Sequence, residues 1–258
     1  MPSRIAAIYR YPIKGLSAER LAQVTLATGD GLPQDRRFAL ALADTVFDPA
    51  KPEWLSKDHF VMLRRDEKLA ALKTRFDAAS GRLTIEYQGQ TVFAASIAAA
   101  DGKSAASHFF GEFLGESVAR PLRLVEAPGH AFYDARRKPN AATDKYVSLV
   151  NLASLAELAK VVEQEVDPLR FRANLYLDGL PAWREMEWIG TSIFIGNTTL
   201  RGVSPITRCA ATHVNPATAQ RDLDVLGCLK RGFDHVFMGV YAEVMRGGDI
   251  AEGDTVAA

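Results

Sequence analysis

The chain has 258 residues, 48% hydrophobic and 24% charged, which is enough for one large or two modest domains with buried cores. Its 31 Lys and Arg balance 31 Asp and Glu, so no overall positive field attracts nucleic acid or an anionic membrane, and any phosphate site has to be local. No apolar run approaches the roughly 20 residues of a membrane span, the N-terminus lacks a secretory apolar stretch, and Cys209 and Cys228 are too few for a disulfide scaffold and lack zinc spacing; the expectation is a soluble cytoplasmic protein with reduced thiols.

In chain order, RIAAIYRYPI (4–13), LAQVTLA (21–27), RRFALALAD (36–44) and RLTIEYQGQTVFAA (82–95) read as strands, several of them paired in hairpins. Lys14 follows a proline-fixed segment and precedes Gly15, where a backbone can approach a ligand closely. Arg36 and Arg37 open a strand and point to opposite faces, so one of them can turn inward. A helix is predicted from an N-cap at Ser104, with Ala105, Phe109 and Phe113 at helical spacing.

Residues 127–145 form a long polar loop in which Arg136, Arg137 and Lys138 suggest a lid or a partner-docking surface. Beyond it, 147–164 reads as a strand running into an amphipathic helix. RFRANLYL (170–177) places Arg170, Arg172 and Asn174 on one face of a predicted strand, which suits a polar ligand or an edge strand guarded by charge. Further strands follow at 191–203, 237–248 and 249–258, with a short helix stopped by Gly232 that takes Cys228 into the core. The pattern is mainly β with a few flanking helices, and points to barrels or sandwiches rather than to a wound βαβ sheet.

In SPITRCAATHVNP (204–216) the fixed charge of Arg208 favours the thiolate of Cys209, the form that attacks electrophiles or binds soft metals; a small buried hydrophobe is the plainer alternative. His213 lies four residues on, but in an extended strand the two side chains would sit more than ~12 Å apart, which makes a Cys–His hydrolase pair the weakest option. Lys14 and Arg36, arriving from separate loops, suit a phosphate.

YPIKG (11–15), DRRFAL (35–40), FRANLYLDG (171–179), LRGVSPITRCAATHVNP (200–216) and GGDIAEGDTV (247–256) together resemble the two-domain MOSC proteins with an N-terminal MOSC β-barrel domain, the amidoxime reducing component family among them. The resemblance implies two β-barrel-like domains, 1–120 and 121–258, with a molybdenum cofactor (molybdopterin) in the cleft between them. It implies that Cys209 ligates the metal, that Lys14, Gly15 and Arg36 lie at the pterin phosphate, and that Arg172, Asn174 and Arg208 complete the site. Gly15 stands where relatives often carry serine, Lys57 where arginine or glutamine is commoner, and Asn215-Pro216 replaces a common Asp-Pro turn. No ferredoxin domain, membrane anchor or pyridoxal-phosphate domain is expected. The implied activity is two-electron reduction of an N-hydroxylated or N-oxide small molecule, fed by a separate small redox protein; the alternative is a non-catalytic carrier of persulfide sulfur or of the cofactor.

Overall fold

A computed structural model describes residues 2–118, 121–135 and 143–258. The strand Arg4–Arg10 buries Ile5 and Ile8 and is paired on both edges, antiparallel to Glu19–Leu21 on one side and to Leu175–Asp178 on the other. It thereby enters an eight-stranded sheet whose remaining order is Val147–Asn151, Phe237–Arg246, Thr198–Thr207, Ser192–Ile195 and Val256–Ala257. Three smaller sheets accompany it: Phe38–Ala41 with Arg123–Glu126, Gln23–Leu26 with Gly248–Ala251, and the meander Lys73–Asp77, Arg82–Tyr87 and Gln90–Ser96. Among the described residues the fold is mainly β with three α-helices, as the sequence predicts, but the sheets do not close into hydrogen-bonded barrels.

One βαβ crossover is present in spite of the β-rich pattern. Val147–Asn151 runs parallel to Leu175–Asp178 and is joined to it through the helix Leu152–Val162. All five residues of the first strand are buried, the condition parallel pairing imposes, and Asn151 caps the helix by accepting from the Ala153 N–H at 3.0 Å.

Two helix boundaries differ from expectation. The helix Ala100–Leu114 starts four residues before Ser104, and it buries Ala106, Phe110 and Leu114 while Ala105 is exposed; with Phe109, Phe110 and Phe113 all apolar, the sequence does not decide between adjacent stripes. The helix Val225–Phe233 passes through Gly232 and ends at Asp234, whose φ is +59°. Gly232 serves a close approach instead, since a Cβ there would lie 2.7 Å from Val161 Cγ2 on the neighbouring helix.

The two halves exchange packing groups. Val214 joins the core built around Phe38, Phe76 and Phe110, while Ile5, Ile8 and Leu26 join the core under the large sheet. Among the described residues no helix is long and apolar enough to cross a membrane.

Candidate functional site

The long strand Thr198–Thr207 delivers Arg208 and Cys209 at its end. There the chain turns into a short 3-10 segment, Ala210–His213, and the Cys209 carbonyl accepts from the Thr212 N–H (3.0 Å) and hydroxyl (2.9 Å). This pins the backbone of a partly exposed free thiol. The turn also corrects the extended geometry assumed for 209–213. His213 Nε2 accepts weakly from the Leu226 N–H at 3.4 Å and lies 3.6 Å from Asp224 Oδ1, so the imidazole serves the helix Val225–Phe233, in keeping with a packing role.

Arg208 Nε donates to the Met238 carbonyl and Nη1 to that of Phe171, both at 2.8 Å, with the guanidinium carbon 5.3 Å from the Phe171 ring centre. Burial draws its pKa down. Three segments are thus tied together directly beside the thiol.

The predicted strand over 170–174 is absent. Asp167 accepts from the Leu169 N–H at 2.8 Å, Pro168 fixes φ and lacks a donor, and Pro168–Phe171 closes as a 3-10 turn that leaves Arg172 at φ +51°. Arg170, Arg172 and Asn174 therefore do not share a strand face. Arg170 reaches the His213 carbonyl (3.0 Å) and Asp222 (2.6 Å), while Arg172 Nη1 donates to the Leu16 carbonyl at 2.6 Å. Asn174 spends its whole amide on the fold: Oδ1 accepts from the Ser148 hydroxyl and N–H (2.8 and 3.1 Å), and Nδ2 donates to the Tyr9 carbonyl and Asp35 Oδ2, both at 3.1 Å.

The N-terminal motifs meet this turn through Tyr11. The guanidinium carbons of Arg172 and Arg36 lie 4.3 and 4.4 Å from its ring centre, its N–H donates to Asp35 at 2.7 Å, and burial pushes its phenol up to about 12. Arg36, at φ +48°, pairs with Asp35 and donates to the Arg172 carbonyl at 2.9 Å; burial opposes its charge, but the Asp35 carboxylate outweighs that and the net shift is upward. Arg172 has no such partner, and burial together with the nearby Arg36 charge lowers its pKa to about 10. Gly15 takes φ +82°, which the turn after Lys14 requires. Lys14 itself is buried, with Nζ donating to the Phe132 carbonyl at 3.0 Å and to Asp134.

All seven residues singled out in the sequence, Lys14, Gly15, Arg36, Arg172, Asn174, Arg208 and Cys209, line one cleft of about 170 Å³. Arg172 Nη2 is buried and has no hydrogen-bond partner among the described residues. Lys57, noted as a departure, also lines it. Sequence reasoning missed Asp134, Ser148 and Tyr241; the one available signal was a single acid preceding the basic run 136–138, and those three basic residues lie outside the described ones. Among the described residues no group of three or more His, Cys, Asp and Glu is placed to hold a metal ion.

Two family models match the chain: the MOSC N-terminal beta barrel domain over residues 2–117 and the MOSC domain over residues 134–257. A molybdenum cofactor sulfurase of Caenorhabditis elegans is 24% identical over 248 residues, covering 92% of this chain and 33% of that protein. Mitochondrial amidoxime-reducing component 1 of Homo sapiens is 27% identical over 113 residues, covering 39% of this chain and 32% of that protein. The chain spans a third or less of the length of these curated relatives. Among solved structures, the YUAD protein of Bacillus subtilis superposes with a TM-score of 0.49 at 13% identity, over 99% of this chain and 94% of that one. With the two models taking in nearly every residue from 2 to 257, the chain belongs to the MOSC-domain proteins that carry the N-terminal MOSC β-barrel domain, and is distantly homologous to amidoxime-reducing and molybdenum cofactor sulfurase proteins.

Proposed function

We propose that this cleft holds a molybdenum cofactor and that the loaded protein reduces N-hydroxylated or N-oxide small molecules, drawing electrons from a separate small redox protein. The observation that carries the reading is that buried Arg172, whose Nη2 has no hydrogen-bond partner among the described residues, lines the same cleft as Cys209. A buried guanidinium nitrogen without an acceptor is costly, and a phosphate oxygen is the acceptor whose geometry and charge suit it best. A soft metal suits the thiolate, and with no cluster of protein ligands among the described residues it would have to bring most of its ligands with it, as a metal in an organic cofactor does.

When bound, the cofactor supplies the two-electron chemistry of N–O reduction, which consumes two protons and releases water. The chain's own residues would do the holding. Cys209 would ligate the metal from a backbone position fixed by Thr212, and Arg172 and Arg36, braced against Tyr11, would take the phosphate. Arg208 would keep the segments at 171, 208 and 238 in register beside the thiol. Asn174 would act at one remove, by fixing Ser148 and Asp35.

Protein made in a cofactor-synthesising host is expected to carry molybdenum near one equivalent, and Cys209→Ser to carry background levels. Equal metal in both proteins would remove Cys209 from the site. Activity is read separately, as amidoxime reduction driven by reduced viologen. The similarity to molybdenum cofactor sulfurases favours a second reading, in which Cys209 carries persulfide sulfur. Sulfane sulfur trapped on Cys209 in metal-free protein supports that one; stoichiometric metal with turnover supports the first.

A further inference from the structure

In a chain of zero formal charge the cleft is a local excess of positive charge: seven lysine and arginine side chains line it, and Asp134 is the one carboxylate among its described lining residues. Asp134 Oδ1 accepts from Lys14 Nζ, whose other bond goes to the Phe132 carbonyl at 3.0 Å. The two partners differ in setting, since the Lys14 side chain is 9% exposed and that of Asp134 51%. The backbone behind the carboxylate is fastened: the Phe132 N–H donates to the Arg36 carbonyl at 2.8 Å, and the Phe132 ring meets Phe60 and Phe47 with centres 5.3 Å away. From this fixed root the acid reaches over the ammonium from the solvent side. Burial raises its pKa, but the charges of Lys14, Lys57 and Arg36 outweigh that and keep it ionised.

A buried ammonium is tolerated only when paired, and in the ligand-free protein Asp134 supplies the pair. It does not satisfy Arg172, whose Nη2 has no partner among the described residues. A phosphate with close to two negative charges can engage both cations at once, which a single carboxylate on Lys14 does not.

We infer that Asp134 is a resident counter-ion of Lys14 that the ligand's phosphate displaces, so that this one acid sets how strongly an anion must bind to occupy the cleft. The inference rests on the reading of the cleft as a phosphate seat, and its test separates the two. The full chain is made in a host unable to synthesise the cofactor, and inorganic phosphate is titrated at fixed ionic strength, followed by calorimetry and phosphorus NMR. Asp134→Asn is expected to bind phosphate at least about tenfold more tightly than wild type, the scale of a close charge pair. Asp58→Asn removes a carboxylate paired with the cleft-lining Arg64, leaves Lys14 untouched, and is expected to stay within about twofold of wild type. Equal gains in both variants reduce the effect to general electrostatics and overturn the inference. Unchanged binding in Asp134→Asn overturns it while the phosphate seat stands; no binding by any of the three proteins overturns both. Independently of folding in the variants, the Asp134 carboxyl carbon resonance of the wild type is expected to move on saturation with phosphate, and a stationary signal refutes displacement.

Discussion

Arg172 and Asn174 stand two positions apart and divide the work of the site: one keeps an open donor, the other has none left. Asn174→Ala strips four bonds from a buried position and leaves Ser148 and Asp35 short of partners, so a loss of about 3 kcal/mol is expected. Urea denaturation measures it, and a cost within experimental error would contradict the bond pattern. A second buried polar group lies away from the cleft, where Glu185 accepts from the Ser154 hydroxyl at 2.8 and 3.0 Å and from Asn151 Nδ2 at 3.2 Å. Burial raises its pKa above the ordinary 4.5, so the folded protein holds this proton more tightly than the unfolded chain does. Its contribution is therefore complete below that ordinary value and is lost as pH climbs through the raised one. The stability of Glu185→Gln relative to wild type should accordingly rise as pH climbs from the ordinary 4.5 through the raised value, and a difference that stays constant would falsify the assignment. At this scale residue types were legible and partners were not: Lys14, Arg36, Arg172 and Cys209 announce their chemistry, but nothing in the sequence tells which arginine is already spent on carbonyls, because that depends on Met238 and Phe171 arriving from distant segments.

Strands rich in β-branched and aromatic residues are legible along most of the chain, though the short strands Lys73–Asp77 and Arg123–Glu126 are not, and two further departures have local causes. RFRANLYL carries strand-like side chains, yet Asp167 and Pro168 just before it start a 3-10 turn and delay the strand to Leu175. Strand Phe237–Arg246 hides the opposite case, a glycine inside a strand that the fold cannot replace. Gly239 has φ +77°, and a Cβ there would lie 2.2 Å from the Leu149 carbonyl oxygen, a backbone atom of the neighbouring strand. The residue before it supplies the carbonyl that holds Arg208. Gly239→Ala is expected to cost about 3 kcal/mol or more, from left-handed strain together with displacement of that strand, and, under the proposed function, to lower metal retention at the same time. A thermal melt overlaying that of wild type would show that the strand pair can yield there.

The large sheet is built from both ends of the chain, with Arg4–Arg10 lying beside Leu175–Asp178 and Val256–Ala257 at its far edge, and a separate small sheet pairs Gln23–Leu26 with Gly248–Ala251. A fragment of residues 121–258 would lack the strand that covers Leu175–Asp178, and is expected to aggregate or to bind hydrophobic dye. A monomeric fragment with a dispersed NMR spectrum would show that the sheet tolerates the loss. Sequence could not reveal this sharing, since the motifs fall in two blocks while the pairing that joins them spans almost the whole chain. The order of synthesis runs against such an architecture. Asp178, which pairs with Arg4, follows it by 174 residues, so at ribosomal speeds the first strand waits roughly 10–35 s for its partner with Ile5 and Ile8 uncovered. The N-terminal segment that completes the sheet is thus also the one that nascent-chain chaperones have the longest opportunity to hold.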